Sequence, residues 1–185
     1  MRGRVVDEKR LRFSFDQSWL VCRWDKDECQ KGFHLLKSTR AIDIIGLVGS
    51  RPFFIEITDY RGYSAKARHG RHSGELASEV AEKVRDSLAG LIWSVRRDGV
   101  DPGDLAQFVT AIIRADEKPF VALWLEEDEL SPVDAKTLGD DIKKLLRPWL
   151  SARVVVLNRT IARERSNPIP GLVVTDLPSL RGPSI

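Results

Sequence analysis

Cysteine and histidine are scarce in this chain, at two and three residues of 185. Six residues separate Cys22 from Cys29 and no CxxC pair occurs, so neither a disulfide framework nor a zinc site is indicated; two ordinary reduced thiols are the simpler reading. No apolar run is long enough to span a bilayer, and the opening MRGRVVDEKRLR lacks the apolar stretch of a signal peptide, so the expected location is the cytoplasm, without membrane association. The formal net charge is only +3, far from the bias of a histone-like binder, and any nucleic-acid argument must rest on local clusters. A phosphate-binding glycine loop, a nucleophile elbow and an HExxH pair are all missing, which leaves nucleotide hydrolysis, serine hydrolysis and zinc proteolysis without support.

What is present is the composition of a globular protein, 42% hydrophobic and 31% charged, long enough to bury a core without staples. One domain over 1–185 is expected, its core at about 18–177, with the N-terminal segment and the tail SLRGPSI peripheral. SWLVCRW (18–24), AIDIIGLV (41–48) and RPFFIEI (51–57) read as strands, rich in β-branched and aromatic residues. From Ser73 to about Val95, Leu76, Val80, Val84, Leu88, Leu91, Ile92 and Val95 recur at helical spacing, with Ser73 as N-cap and Glu75 beside the helix N-terminus. A short helix DLAQFVTAIIRA, a strand PFVALWL (119–125) and a helix Val133–Leu146 stopped before Pro148 follow. ARVVVLN (152–158) and GLVVTDL (171–177) close the chain as strands. Strands apolar on both faces need covering on both sides, so the pattern predicts an α/β domain with a central mixed β-sheet flanked by helices.

The stretch AIDIIGLVGSRPFFIEITDYRG carries two carboxylates in otherwise apolar runs. With Gly49-Ser50 as a two-residue hairpin loop, Asp43 falls directly opposite Glu56, on a face shared with Ile45, Leu47 and Phe54. Opposed like charges at a Cβ separation of about 5 Å repel. A divalent cation with oxygen ligands would hold the pair together; without one, the two share a proton or take a cation from the protein, Arg40 or Arg61. A solvated strand edge is the plainer alternative. The segment RGYSAKARHGRH that leaves the same strand end brings Arg61, Lys66, Arg68 and Arg71, with His69 and His72, and no acid; cations there suit a phosphate backbone.

Asp43, the hairpin, Glu56-Ile57-Thr58 and the following long helix together resemble the core of the PD-(D/E)xK nuclease superfamily, the restriction-endonuclease-like fold, over roughly residues 18–125. The resemblance implies a metal-dependent nuclease acting on DNA or RNA, with Asp43 and Glu56 as ligands to magnesium or manganese and the Ile57 carbonyl as a third. The metal would polarise the scissile phosphate and lower the pKa of an attacking water. The family's lysine falls on Thr58, whose hydroxyl carries no positive charge, so a cation must come from elsewhere or catalysis is lost. Lys83, on the boundary of the helix's apolar face with Glu79 one turn before it, is one candidate and Lys66 another; Glu79 and Lys83 also read as an ordinary i,i+4 surface pair. The competing implication is a nuclease-like module without catalysis that binds nucleic acid or protein.

Trp19, Trp24, Trp93 and Trp124 fall within elements and are expected in the core, whereas Trp149, after Pro148, is expected at the surface. Asp25, Asp27 and Glu28 could extend a ligand set from the first strand's end, but WDKDE reads more simply as a turn. No residue specifies the oligomeric state, homodimer included.

Overall fold

The computed structural model describes residues 4–26, 39–62, 74–96, 103–114, 116–127, 130–164 and 166–178. Two sheets organise them. The larger has five strands in the order β3 (Trp19–Arg23), β4 (Ile44–Val48), β5 (Arg51–Asp59), β6 (Phe120–Glu126), β7 (Arg153–Leu157). Strands β3 to β5 are antiparallel, and β6 and β7 continue parallel to β5, so the sheet is mixed. Every residue of β6 and all of β5 after Arg51 are buried, as strands covered on both faces require.

The cover is different on the two faces. Helices α1 (Glu75–Arg96), α2 (Leu105–Arg114) and α3 (Pro132–Leu146) follow the predicted pattern. They pack on one another, and α3 lies so close to β7 that a Cβ on Gly139 would touch Val156 at 3.7 Å. The opposite face is covered not by helices but by a second, three-stranded antiparallel sheet in the order β1 (Val5–Glu8), β2 (Leu11–Phe15), β8 (Leu172–Asp176). In β2, Leu11, Phe13 and Phe15 are buried in alternation with Arg12 and Ser14. Phe13 meets Trp124 edge-on at a centroid distance of 5.6 Å, and Phe15 meets Trp19 at 5.0 Å.

Two expectations change here. The N-terminal segment is not peripheral: its alternating residues fill the layer between the sheets. The segment GLVVTDL is a strand as predicted but pairs with β2 in the small sheet rather than closing the large one. A short helix α4 (Arg159–Glu164), absent from the sequence reading, follows β7. The Ser73 N-cap and the tail SLRGPSI lie outside the described residues. Trp19, Trp24 and Trp124 are buried, Trp93 is partly buried and Trp149 is exposed.

Candidate functional site

The turn between β4 and β5 sets the register from which the site is built. Gly49 takes the positive φ of 59° at the first loop position, and the ladder runs Val48 to Arg51, Leu47 to Pro52, Ile45 to Phe54 and Ile44 to Ile55. One step further on this register brings Asp43, the residue before β4, opposite Glu56. Asp43 does not continue the ladder with its backbone alone: its Oδ2 accepts the Ile57 amide at 2.6 Å, while its carbonyl accepts from the Trp24 amide at 2.9 Å. The approach to Asp43 is pinned to α1, because Asp86 accepts the Arg40 amide and Ser87 accepts the Ile42 amide, each at 3.0 Å.

The same helix, one turn earlier, delivers Lys83. Its Nζ donates to Glu56 Oε1 at 2.5 Å and stands 3.5 Å from Glu79. Glu56 is buried, and its Oε2 has no hydrogen-bond partner. Burial, with the Asp43 charge added, pushes Glu56 up to about 8, against the pull of Lys83; burial likewise raises Asp43 to about 6, against the Ile57 amide and Lys83. Burial alone would lower Lys83, but Glu56 and Asp43 outweigh it and hold the ammonium charged. Asp43 also feels Asp25 and Glu8, which brings the carboxylate of the Trp24–Lys26 turn within electrostatic range of the site.

Glu56, Thr58, Glu79 and Lys83 line one cavity of about 530 Å³, together with Lys9, Arg10, Asp59, Tyr60 and Arg61. Glu56, Thr58, Glu79 and Lys83 are thus gathered at the carboxyl end of β5, whereas Asp43 is not on the cavity wall and joins them through the Ile57 amide. The expected phosphate contact Arg61 is engaged otherwise: it forks onto Asp59 at 2.9 and 2.8 Å and reaches Asp176 at 2.5 Å. Arg40 stands 3.6 Å from Glu82, so neither arginine takes the Asp43–Glu56 pair and Lys83 does. Lys66, Arg68, Arg71, His69 and His72 lie outside the described residues.

The residues that sequence reasoning missed come from the β1–β2 turn. Lys9 Nζ donates to the Ile57 carbonyl at 2.7 Å, so the third, backbone ligand implied by the resemblance is occupied by an ammonium. Arg10 forks onto Asp59 at 3.0 and 2.9 Å. Two guanidinium groups hold Asp59 well below the usual carboxylate range although burial opposes them. The sequence signal for this turn was the alternation in VVDE-KR-LRFSF, two short strands broken by two residues.

The donors of Asp43 and Glu56 are all oxygen, and Glu56 keeps one bare buried oxygen although Lys83 meets its other one. These features fit a hard divalent cation better than a soft one. Among the described residues no group of three or more His, Cys, Asp or Glu side chains converges on one point. No protein-family model, no curated protein and no solved structure matches the chain.

Proposed function

We propose that this protein is a metal-dependent nuclease-like enzyme that hydrolyses phosphodiester bonds of DNA or RNA, on a restriction-endonuclease-like core formed by β3 to β6 and α1. The observation that carries the reading is the contact of Lys83 with Glu56 at 2.5 Å, beside Asp43 on the Ile57 amide. It supplies from the helix the positive charge that Thr58 cannot supply from the strand. Asp43 and Glu56 are the residues that would hold magnesium or manganese. When bound, such an ion contributes Lewis acidity toward a phosphate oxygen and toward water.

The chain's own part is positional and electrostatic. Glu79 and Glu56 flank the Lys83 ammonium and hold it at the cavity wall, where it faces the negative charge that develops on a phosphate. The Thr58 hydroxyl, on the same face of β5 as Glu56, offers one donor to a phosphate oxygen. Purified protein with magnesium or manganese is expected to cut single- or double-stranded DNA or RNA, and Glu56→Gln and Lys83→Met are each expected to slow the cut by about 100-fold. No cleavage of any of these substrates with either metal, and no difference between Glu56→Gln and wild type, would overturn the proposal.

A second reading, a nuclease-like binding module without catalysis, is favoured by one observation: Lys83 and Lys9 already engage Glu56 and the Ile57 carbonyl. Nucleic-acid binding that needs no metal, weakens with salt and survives Asp43→Asn would select it.

A further inference from the structure

The protein contains two hairpins of the same kind. In each, two residues join paired strands, Gly49-Ser50 between Val48 and Arg51, and Lys9-Arg10 between Glu8 and Leu11. In each, the first loop residue takes a positive φ, 59° at Gly49 and 54° at Lys9. Glycine is the residue that turn favours at this position, because a Cβ is crowded there. The β4–β5 turn obeys that preference. The β1–β2 turn puts a lysine where glycine would be easier, which directs attention to what the side chain does.

Lys9 extends from the small sheet to the mouth of the cavity in the large one. Its ammonium has three donors, and the neutral Ile57 carbonyl accounts for one. The other cations on the cavity wall are matched by carboxylates: Arg10 by Asp59, Arg61 by Asp59 and Asp176, and Lys83 by Glu56 and Glu79. No described carboxylate forms an ion pair with Lys9, and its residue is exposed, so a ligand can reach it. Among the described residues the cavity therefore presents one cation outside any salt bridge, close enough for its charge to act on Glu56, with the Thr58 hydroxyl and Tyr60 also on its wall.

We infer that Lys9 makes the mouth of this cavity a phosphoryl-anion subsite, its ammonium taking a non-bridging oxygen of a phosphate group while the Ile57 carbonyl orients it. The subsite stands on the turn and the cavity; only the assignment of that phosphate to a nucleic-acid backbone rests on the hydrolytic reading above. Charge-assisted hydrogen bonds of this kind are worth about tenfold or more in affinity.

Inorganic phosphate titrated into the full chain at low salt, followed calorimetrically, tests it. Wild type is expected to bind saturably and more weakly as salt rises, and Lys9→Arg is expected to keep affinity within about threefold because it keeps the charge. Lys9→Gly is expected to lose about tenfold or more while melting at or above the wild-type temperature, since glycine suits the positive φ. Lys9→Met, which keeps the stem and removes the charge, provides the same comparison if the glycine variant folds poorly. Phosphate binding that is absent from wild type, or unchanged in both Lys9→Gly and Lys9→Met, overturns the inference. Its failure is separable from that of the enzyme reading: Lys9-dependent phosphate binding without metal-dependent cleavage leaves the subsite and removes the nuclease, and cleavage with Lys9-independent phosphate binding does the reverse.

Discussion

Glu56 sits in the large sheet with one oxygen on Lys83 and the other bare, and its carboxyl is pushed up to about 8. A carboxyl whose folded pKa exceeds its unfolded one binds more protons when folded, so stability falls as pH rises through that interval. For Asp43 and Glu56 the interval runs from the ordinary values of 3.8 and 4.5 to about 6 and about 8. Each unit is worth at most about 1.4 kcal/mol. Wild type is therefore expected to melt at progressively lower temperature between about pH 5 and about pH 8, and Glu56→Gln to flatten that slope and to melt higher than wild type at the alkaline end. Thermal melts across pH check this, and a slope unchanged in Glu56→Gln would place the cause elsewhere. Magnesium or manganese is expected to restore stability at about pH 8 in wild type and not in Glu56→Gln. At this scale the opposition of Asp43 and Glu56 was legible, because a two-residue loop and a period of two leave only one register. Lys9 was not, since no local pattern shows that its side chain ends at a carbonyl 48 residues away.

Elements were legible wherever a period was clear. The apolar spacing of α1 survives in the structure, although Ile92 is exposed while Asp86 and Ser87, polar in sequence, are buried because they cap the amides leading into β4. Helix α3 starts as its sequence suggests, with Pro132 in the first turn after Ser131, whose hydroxyl accepts the Asp134 amide at 3.1 Å. Strand β4 carries a tighter constraint. A Cβ on Gly46 would lie 2.4 Å from the Trp19 ring, which in turn packs on Phe53 at a centroid distance of 4.6 Å. Gly46→Ala is expected to destabilise by about 1–3 kcal/mol, measured by denaturant titration, because Trp19 is locked by Phe15, Phe53 and the Pro170 carbonyl and cannot swing away. A variant as stable as wild type would show that the ring moves freely.

At the scale of the whole molecule, the small sheet serves as one layer of the core and as one wall of the site. Phe13 supplies the apolar contact and Arg10 the polar one, since Asp59 at the end of β5 accepts forks from both Arg10 and Arg61. Asp176 of β8 then joins Arg61 to Arg159, and Arg159 reaches Glu126 at 3.2 Å, so the carboxyl ends of β5 and β6 are tied to the small sheet. Phe13→Ala is expected to cost about 3–5 kcal/mol and, because it loosens the turn that carries Lys9, to weaken phosphate binding together with stability. Chemical denaturation and phosphate titration on the same variant check both. The Asp59 clip acts on the opposite side of the pH scale from Glu56: its depressed pKa gives stability that is present above the ordinary value of 3.8 and is lost as pH falls below it.

The sequence by itself determined the α/β class, the mixed character of the large sheet's strands, the long helix and the facing of Asp43 and Glu56. These follow from hydrophobic period and turn chemistry, which act over a few residues. Only the tertiary structure decided that residues 5–15 and 172–176 form a separate layer, that Lys83 rather than an arginine meets Glu56, and that Arg61 is held by Asp59 and Asp176. Those outcomes depend on which apolar faces cover each other and on which long side chains then come within reach, and neither is set by neighbours in the chain.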